Sequence, residues 1–279
     1  MPIITQKNIL IQNPDTRDFL ADACFPESEK PLPLIVFAHG FKGYKDWGAW
    51  NLMAERFAEA GFFFVKFNFS YNGTTIDRPA EFADTEAFGL NNFTKEMSDF
   101  KQVLSHFLNR KEVDAERVSI IGHSRGGGIA VIEAFEDERV KNLVTYAGVS
   151  NFAHRFPTGQ KLERWQEEGV MFSENTRTKQ QLPLYFQYYE DFKAHENRFN
   201  IQYAAQHLEK PYLVVQGTAD EAVAEKEGLL LHEWCKSSEL FLLPDVNHVF
   251  GGREPWTADA MPQDLSRIVD KTIDFLKNK

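Results

Sequence analysis

Cysteine is nearly absent from this chain. Two residues in 279, Cys24 and Cys235, stand too far apart to make a metal or redox motif and read as buried or incidental thiols. Long apolar runs are missing too. No stretch approaches the roughly 20 residues that a helix needs to cross a bilayer. The opening Met1-Pro2-Ile3-Ile4-Thr5-Gln6-Lys7 has neither the basic segment nor the apolar run of a signal peptide. Positive charge is in deficit: 31 Lys and Arg against 41 Asp and Glu give a formal net charge of −10. That balance disfavours nucleic acid and anionic membrane surfaces as partners. No grouping of His, Asp and Glu has metal-ligand spacing, and no glycine loop is placed to cradle a phosphate. Together these absences lead to the expectation of a cytoplasmic protein with no metal and no cofactor. They leave the oligomeric state open.

Apolar residues, by contrast, are plentiful. Hydrophobic residues make up 43% of the chain, enough for a sizeable core, and 25 of them are phenylalanine. A Phe-rich core is the favoured reading of that excess, over an aromatic-lined pocket.

Strand and helix patterns alternate, which predicts an α/β fold with a mostly parallel sheet covered on both faces. Residues 8–12 and 18–25 read as opening strands joined through Asn13-Pro14-Asp15. The apolar run Leu34 to Ala38 reads as a central strand. A helix over 47–60, stopped at Gly61, leads to a strand over Phe62 to Phe69. Met97, Phe100, Val103, Leu104, Phe107 and Leu108 recur at helical spacing across 94–109. Further strands are expected at 117–121, 140–147, 212–216 and 239–243, and helices at 224–236 and 263–277. Residues 149–207 break this rhythm: they are rich in Arg, Glu, Gln and aromatics and carry no long apolar strand. They read as a mainly helical, cap-like insertion within a single domain spanning 1–279.

The most informative stretch is Ile121-Gly122-His123-Ser124-Arg125-Gly126-Gly127. It sits between the apolar run Val118-Ser119-Ile120-Ile121 and the helical run Gly128 to Phe135. A Gly-x-Ser-x-Gly between strand and helix is the pattern of a nucleophile elbow. Gly122 and Gly126 lack the Cβ that would clash in so tight a turn, and the serine is forced to its tip. The rival reading, a serine that merely caps the helix, requires no flanking glycines.

With His39-Gly40-Phe41, the Ser124 pentapeptide, Asp220 and His248 in that order, the chain resembles the α/β-hydrolase superfamily, over nearly its whole length outside 149–207. It looks most like small esterases of the feruloyl-esterase and dienelactone-hydrolase type, although dienelactone hydrolases typically carry a cysteine where Ser124 stands. The resemblance implies a Ser124, Asp220, His248 triad. Ser124 needs a base to become nucleophilic, and His248, in the loop after the last predicted strand, would serve. Asp220 would orient the imidazole, with Asp245 and Glu221 as rivals; Asp245, three residues before His248, reads better as a turn residue. The backbone N–H groups of Phe41 and Arg125 would form the oxyanion hole.

Other residues carry weaker readings. The Arg125 side chain reads as solvated or structurally paired rather than as a substrate carboxylate binder. Lys42 and Lys45 read as surface charges, and His39 and His123 as supports of backbone geometry. Tyr185, Tyr188 and Tyr189, at i, i+3 and i+4 on one helix face, and Trp165 are candidate substrate-binding residues, although packing of the insertion onto the main domain is the favoured reading of the tyrosines. The expected activity is hydrolysis of a small-molecule ester, or a thioester, through an acyl-serine. A serine peptidase or amidase, and a non-catalytic binding protein on the same fold, are the alternatives.

Overall fold

The apolar runs become neighbouring strands of one eight-stranded sheet. The computed structural model describes residues 1–279. In chain order β1 (Ile3–Ile11), β2 (Phe19–Pro26) and β3 (Leu32–Ala38) are followed by α1 (Trp50–Glu59), β4 (Phe63–Phe67), α2 (Thr85–Gly89) and α3 (Phe93–Leu108). Then come β5 (Val113–His123), α4 (Arg125–Glu136) and β6 (Asn142–Tyr146). The region 149–207 holds α5 (Gln160–Glu168), β7 (Val170–Glu174), β8 (Gln181–Tyr185), α6 (Gln187–Ala194) and α7 (Ile201–Gln206). The chain closes with β9 (Tyr212–Gly217), α8 (Glu225–Trp234), β10 (Ser238–Leu243) and α9 (Gln263–Lys277).

The sheet order is β1-β2-β4-β3-β5-β6-β9-β10. The pairs β1–β2 and β2–β4 are antiparallel and all others parallel, which is the α/β-hydrolase arrangement. Parallel strands must be covered on both faces, and alternate residues of a strand serve opposite faces. Leu34, Val36 and Ala38 of β3 pack towards α3 and α4. Ile35 and Phe37 pack towards α1 and α9. Phenylalanines fill both layers, as in the stacked pairs Phe25–Phe63 at 4.3 Å and Phe57–Phe64 at 5.0 Å. No helix is long and apolar enough to cross a membrane.

Most expected elements fall within a few residues of their observed bounds, and α9 spans the residues expected of it. The antiparallel hairpin β7–β8 is an addition to the helical reading of 149–207. Its strands have five residues each, β7 is only partly covered, and β8 contains Pro183. Such a segment has neither the apolar run nor the alternation by which a strand is read. Tyr185 ends β8 while Tyr188 and Tyr189 lie on α6, so the three do not share one helix face.

Strand β5 and helix α4 meet at very short range. A Cβ on Gly122 would lie 2.2 Å from the Gly126 carbonyl oxygen, and one on Gly126 would lie 2.4 Å from the His39 carbonyl oxygen. Both obstacles are backbone and cannot rotate away. Gly61→Ala is a useful contrast, because its Cβ would meet nothing within 4 Å and only its φ of +97° is unfavourable. That substitution is expected to cost about 1–2 kcal/mol. Gly122→Ala is expected to lower the urea midpoint much further or to abolish folding; equal losses in the two variants would show that the elbow relaxes without strain.

Candidate active site

Ser124 stands between the last residue of β5 and the first of α4, with φ 57° and ψ −122°. A positive φ in a residue other than glycine costs on the order of 1–3 kcal/mol and persists only where the surroundings impose it. Here the surroundings are backbone bonds. Ser124 N–H donates to Tyr146 O at 2.9 Å, and Ser124 O accepts from Gly127 N at 2.9 Å and Val149 N at 3.1 Å. The hydroxyl makes no capping bond to α4, so the capping reading does not apply. Instead Ser124 lines a cavity of about 120 Å³, whose wall also includes Gly40, Phe41, Trp47 and His248.

His248 meets this cavity from the loop after β10. Its Nδ1 lies 2.8 Å from Asp220 Oδ2. Asp220 Oδ1 accepts the N–H groups of Ala222 and Val223, each at 2.8 Å. Burial works to raise the Asp220 carboxyl, but the bond and charge of His248 and the two amides outweigh it and hold it below the usual carboxylate range. An ionised Asp220 accepts from Nδ1–H, so in the neutral form of the imidazole Nε2 is the nitrogen left without a proton. Asp245 makes no hydrogen bond to His248. It sits in a turn at φ 60° with its N–H on Thr218 Oγ1 at 2.9 Å. Glu221 is exposed. The structure pairs His248 with Asp220 and with neither rival.

Two further histidines hold backbone. His123 Nε2–H donates to His248 O at 3.0 Å. Burial, aided by the nearby His248 charge, lowers the His123 pKa to about 3, so the ring stays neutral. His39 Nδ1–H donates to Gly40 O at 2.9 Å, while its Nε2 accepts Phe69 N–H at 3.3 Å. Burial pulls it down to about 4. His39 thereby ties the chain entering Phe41 to the strand end at Phe69. Gly40 itself is required by proximity, since a Cβ there would fall 2.8 Å from Ser124 Cβ. The Arg125 N–H, at the first position of α4, has no acceptor within the helix.

The loop that carries Phe41 is anchored by charge, which corrects the reading of Lys45 as a surface residue. Lys45 is 1% exposed. Its Nζ donates to Asp22 at 2.9 Å and Asp46 at 2.5 Å; Lys66 Nζ donates to the same two carboxylates at 2.6 and 2.5 Å. Asp22 and Lys66 belong to neighbouring strands β2 and β4, so the quartet pins the loop to the sheet. The signal was present as two charges, Asp22 and Lys66, inside otherwise apolar strand runs.

Arg125 is structurally paired, as the sequence favoured. Its guanidinium donates to Glu96 Oε1 on α3, lies 4.8 Å from the Phe41 ring centre and 3.5 Å from the Tyr188 hydroxyl. Glu96 also accepts from Asn91 Nδ2 at 2.8 Å. The candidate aromatic residues of the insertion serve packing. Trp165 is buried and donates from Nε1 to Leu184 O at 2.8 Å. Tyr188 is buried against Phe93 and Phe156. Tyr189 packs on Phe156 and Phe186, and Tyr185 donates to Glu86 on α2. None of the four lines the cavity at Ser124, whose aromatic wall is Phe41, Trp47 and Trp50.

Residues 51–260 match the sequence profile of the prolyl oligopeptidase family. The quorum-quenching protein AidA of Acinetobacter baumannii is 28% identical over 120 residues, covering 43% of this chain and 36% of that protein. The uncharacterized protein PA2218 of Pseudomonas aeruginosa is 26% identical over 184 residues, covering 62% of this chain and 45% of that protein. The chain thus spans less than half the length of either curated relative. Among solved structures, Est1E from Butyrivibrio proteoclasticus with bound ferulic acid superposes with a TM-score of 0.75 over 97% of this chain and 98% of that one, at 17% identity. That likeness is one of fold.

Removing Glu96 leaves the Arg125 guanidinium, 12% exposed, without its carboxylate. Glu96→Ala is expected to destabilise the fold by about 3–5 kcal/mol in urea unfolding, as for one broken buried pair. A loss under about 1 kcal/mol would show that solvent replaces the carboxylate.

Proposed function

The chain belongs to the prolyl oligopeptidase family and is a hydrolase of the α/β fold; on that premise we propose that it cleaves a carboxylic ester through an acyl-serine intermediate. Ser124 is the nucleophile, His248 the general base and Asp220 its orienting carboxylate. The observation that carries the reading is the 2.8 Å bond from Asp220 to His248 Nδ1, in an imidazole that shares a cavity wall with the strained Ser124.

In this reading His248 Nε2 takes the Ser124 proton as the oxygen attacks the ester carbonyl. The negative charge that develops on the carbonyl oxygen is met by the N–H groups of Phe41 and Arg125, the latter at the positive end of α4. The imidazolium then returns its proton to the leaving alcohol. Water, deprotonated by His248, releases the acid and restores the serine. Asp220 does not take the proton; it holds the ring in the tautomer that leaves Nε2 basic.

The site is read as acting on small-molecule esters in the cytoplasm. The two cysteines, both free and buried, are compatible with a reducing compartment. Thioesters fit the same chemistry. The family match favours one second reading, cleavage of an amide or peptide bond, for which the same triad protonates a poorer leaving group. Initial rates on a panel of esters, thioesters and amino-acid amides separate the two. Esters of aromatic acids belong in it because Est1E is seen with ferulic acid.

Ser124→Ala is expected to lower turnover on the best substrate by on the order of 10⁶-fold. Retained turnover would remove Ser124 from the mechanism. Asp220→Asn should reduce kcat by about 10⁴-fold through the wrong imidazole tautomer, whereas Asp245→Asn should stay near the parent rate. The reverse ranking would reassign the third member of the triad.

A further inference from the structure

Next to the Ser124 cavity lies a larger one of about 360 Å³. The two share Lys42, Trp47 and Val249, so the larger cavity adjoins that of the serine as an outer groove. It runs between the Phe41 loop, the β7–β8 turn and the loop beyond His248. The charge of this groove is opposite to that of the protein. The chain carries a formal −10, yet Lys42, Arg177 and Arg253 line the groove against a single carboxylate, Glu254.

That carboxylate is already engaged. Glu254 Oε2 accepts the Gly48 N–H at 2.6 Å, and its charge adds to burial in holding the Tyr44 hydroxyl above its ordinary pKa. The cations are not neutralised in this way. Neither arginine has a carboxylate oxygen within the 4.0 Å of an ion pair. Lys42 Nζ donates to a backbone oxygen, Glu174 O, at 2.6 Å, while the Glu174 carboxylate is held by Lys179 at 3.1 Å. Every other arginine of the chain except Arg78 has a carboxylate partner. In an acidic protein that pairs its arginines so thoroughly, two guanidiniums without a carboxylate partner at one groove, Arg253 lying 5.9 Å from the Trp256 ring centre, make the groove locally positive. Their planar donor forks match a carboxylate. The rings of Tyr44, Trp47 and Phe82 line the same groove, and Trp47 also lines the Ser124 cavity, so an aromatic or alkyl segment would meet apolar walls there.

We propose that the groove binds a carboxylate carried on the substrate at the end remote from the scissile ester, with Arg177 and Arg253 as its partners and the aromatic walls holding the segment between. This assignment of substrate class rests on the ester-hydrolase reading of Ser124.

The test compares two esters that differ only at the remote end, methyl 4-carboxycinnamate and methyl 4-carbamoylcinnamate. The parent protein is expected to favour the carboxylate in kcat/KM by about tenfold or more, the scale of one or two hydrogen bonds to a charged group. In the double variant Arg177→Gln, Arg253→Gln, both at exposed positions, that ratio should fall to near one. Raising the salt concentration should compress the ratio in the parent and leave it unchanged in the double variant. No preference in the parent, or a preference that survives in the double variant, overturns the proposal. A second measurement is independent of turnover: calorimetric titration of both esters into Ser124→Ala, with and without the two arginine substitutions. Tighter, arginine-dependent binding of the carboxylate supports the groove even if neither ester is hydrolysed, an outcome that would count against the hydrolase reading alone. Equal binding of the two esters overturns the groove assignment whatever the catalytic result.

Discussion

The close approach of three backbone segments around Ser124 is the constraint on which the rest of the site depends. The end of β5, the first turn of α4 and the His39–Phe41 segment after β3 come together at distances that exclude a Cβ at Gly40, Gly122 or Gly126. This proximity holds Ser124 at positive φ and turns its hydroxyl away from helix capping. It also sets the Phe41 segment beside the N-terminus of α4, where one amide is necessarily free. A looser turn would relax the serine and separate the two segments together.

Two buried charge groups act on the Phe41 segment from different sides. The Asp22–Lys45–Lys66–Asp46 quartet ties its far end to β2 and β4. The Glu96–Arg125 pair places a guanidinium against the Phe41 ring itself. Buried ion pairs contribute little net stability, because the desolvation of each charge offsets most of the attraction. Their effect is on geometry. Each carboxylate of the quartet accepts from both lysines, so a shift of the loop breaks several charge-assisted bonds at once. Arg125 therefore has two separable parts: a backbone N–H at the start of α4, and a side chain that braces the ring of Phe41 and is itself braced by the insertion through Tyr188.

The insertion shapes the site differently from what its aromatic content suggested. Trp165, Tyr188 and Phe192 are consumed in packing around Phe93 and Phe156, and the part that reaches the groove is polar: Asn175, Thr176 and Arg177 in the turn between β7 and β8. Aromatic side chains bury large areas and so are drawn into the interior wherever a cluster can form. Short polar turns are left at the surface, where they can face a ligand.

Local signals were legible in the sequence. A strand, a glycine-flanked serine and a helix lie within twenty residues, and their pattern depends only on periodicity and on the room that glycine makes. The alternation of strands and helices likewise announced a parallel sheet, and the late acidic residue and histidine stood at the positions where the α/β-hydrolase order places them. Tertiary structure decided which charges meet. Glu96 reaches Arg125 across 29 positions and Asp22 reaches Lys66 across 44, and neither partner carries a mark of the other in its own neighbourhood. Sheet register and helix docking create those encounters. For the same reason the burial of Lys45 and the gathering of unpaired arginines at one groove emerged only from the folded chain: each depends on the direction in which a side chain leaves a surface assembled from distant segments.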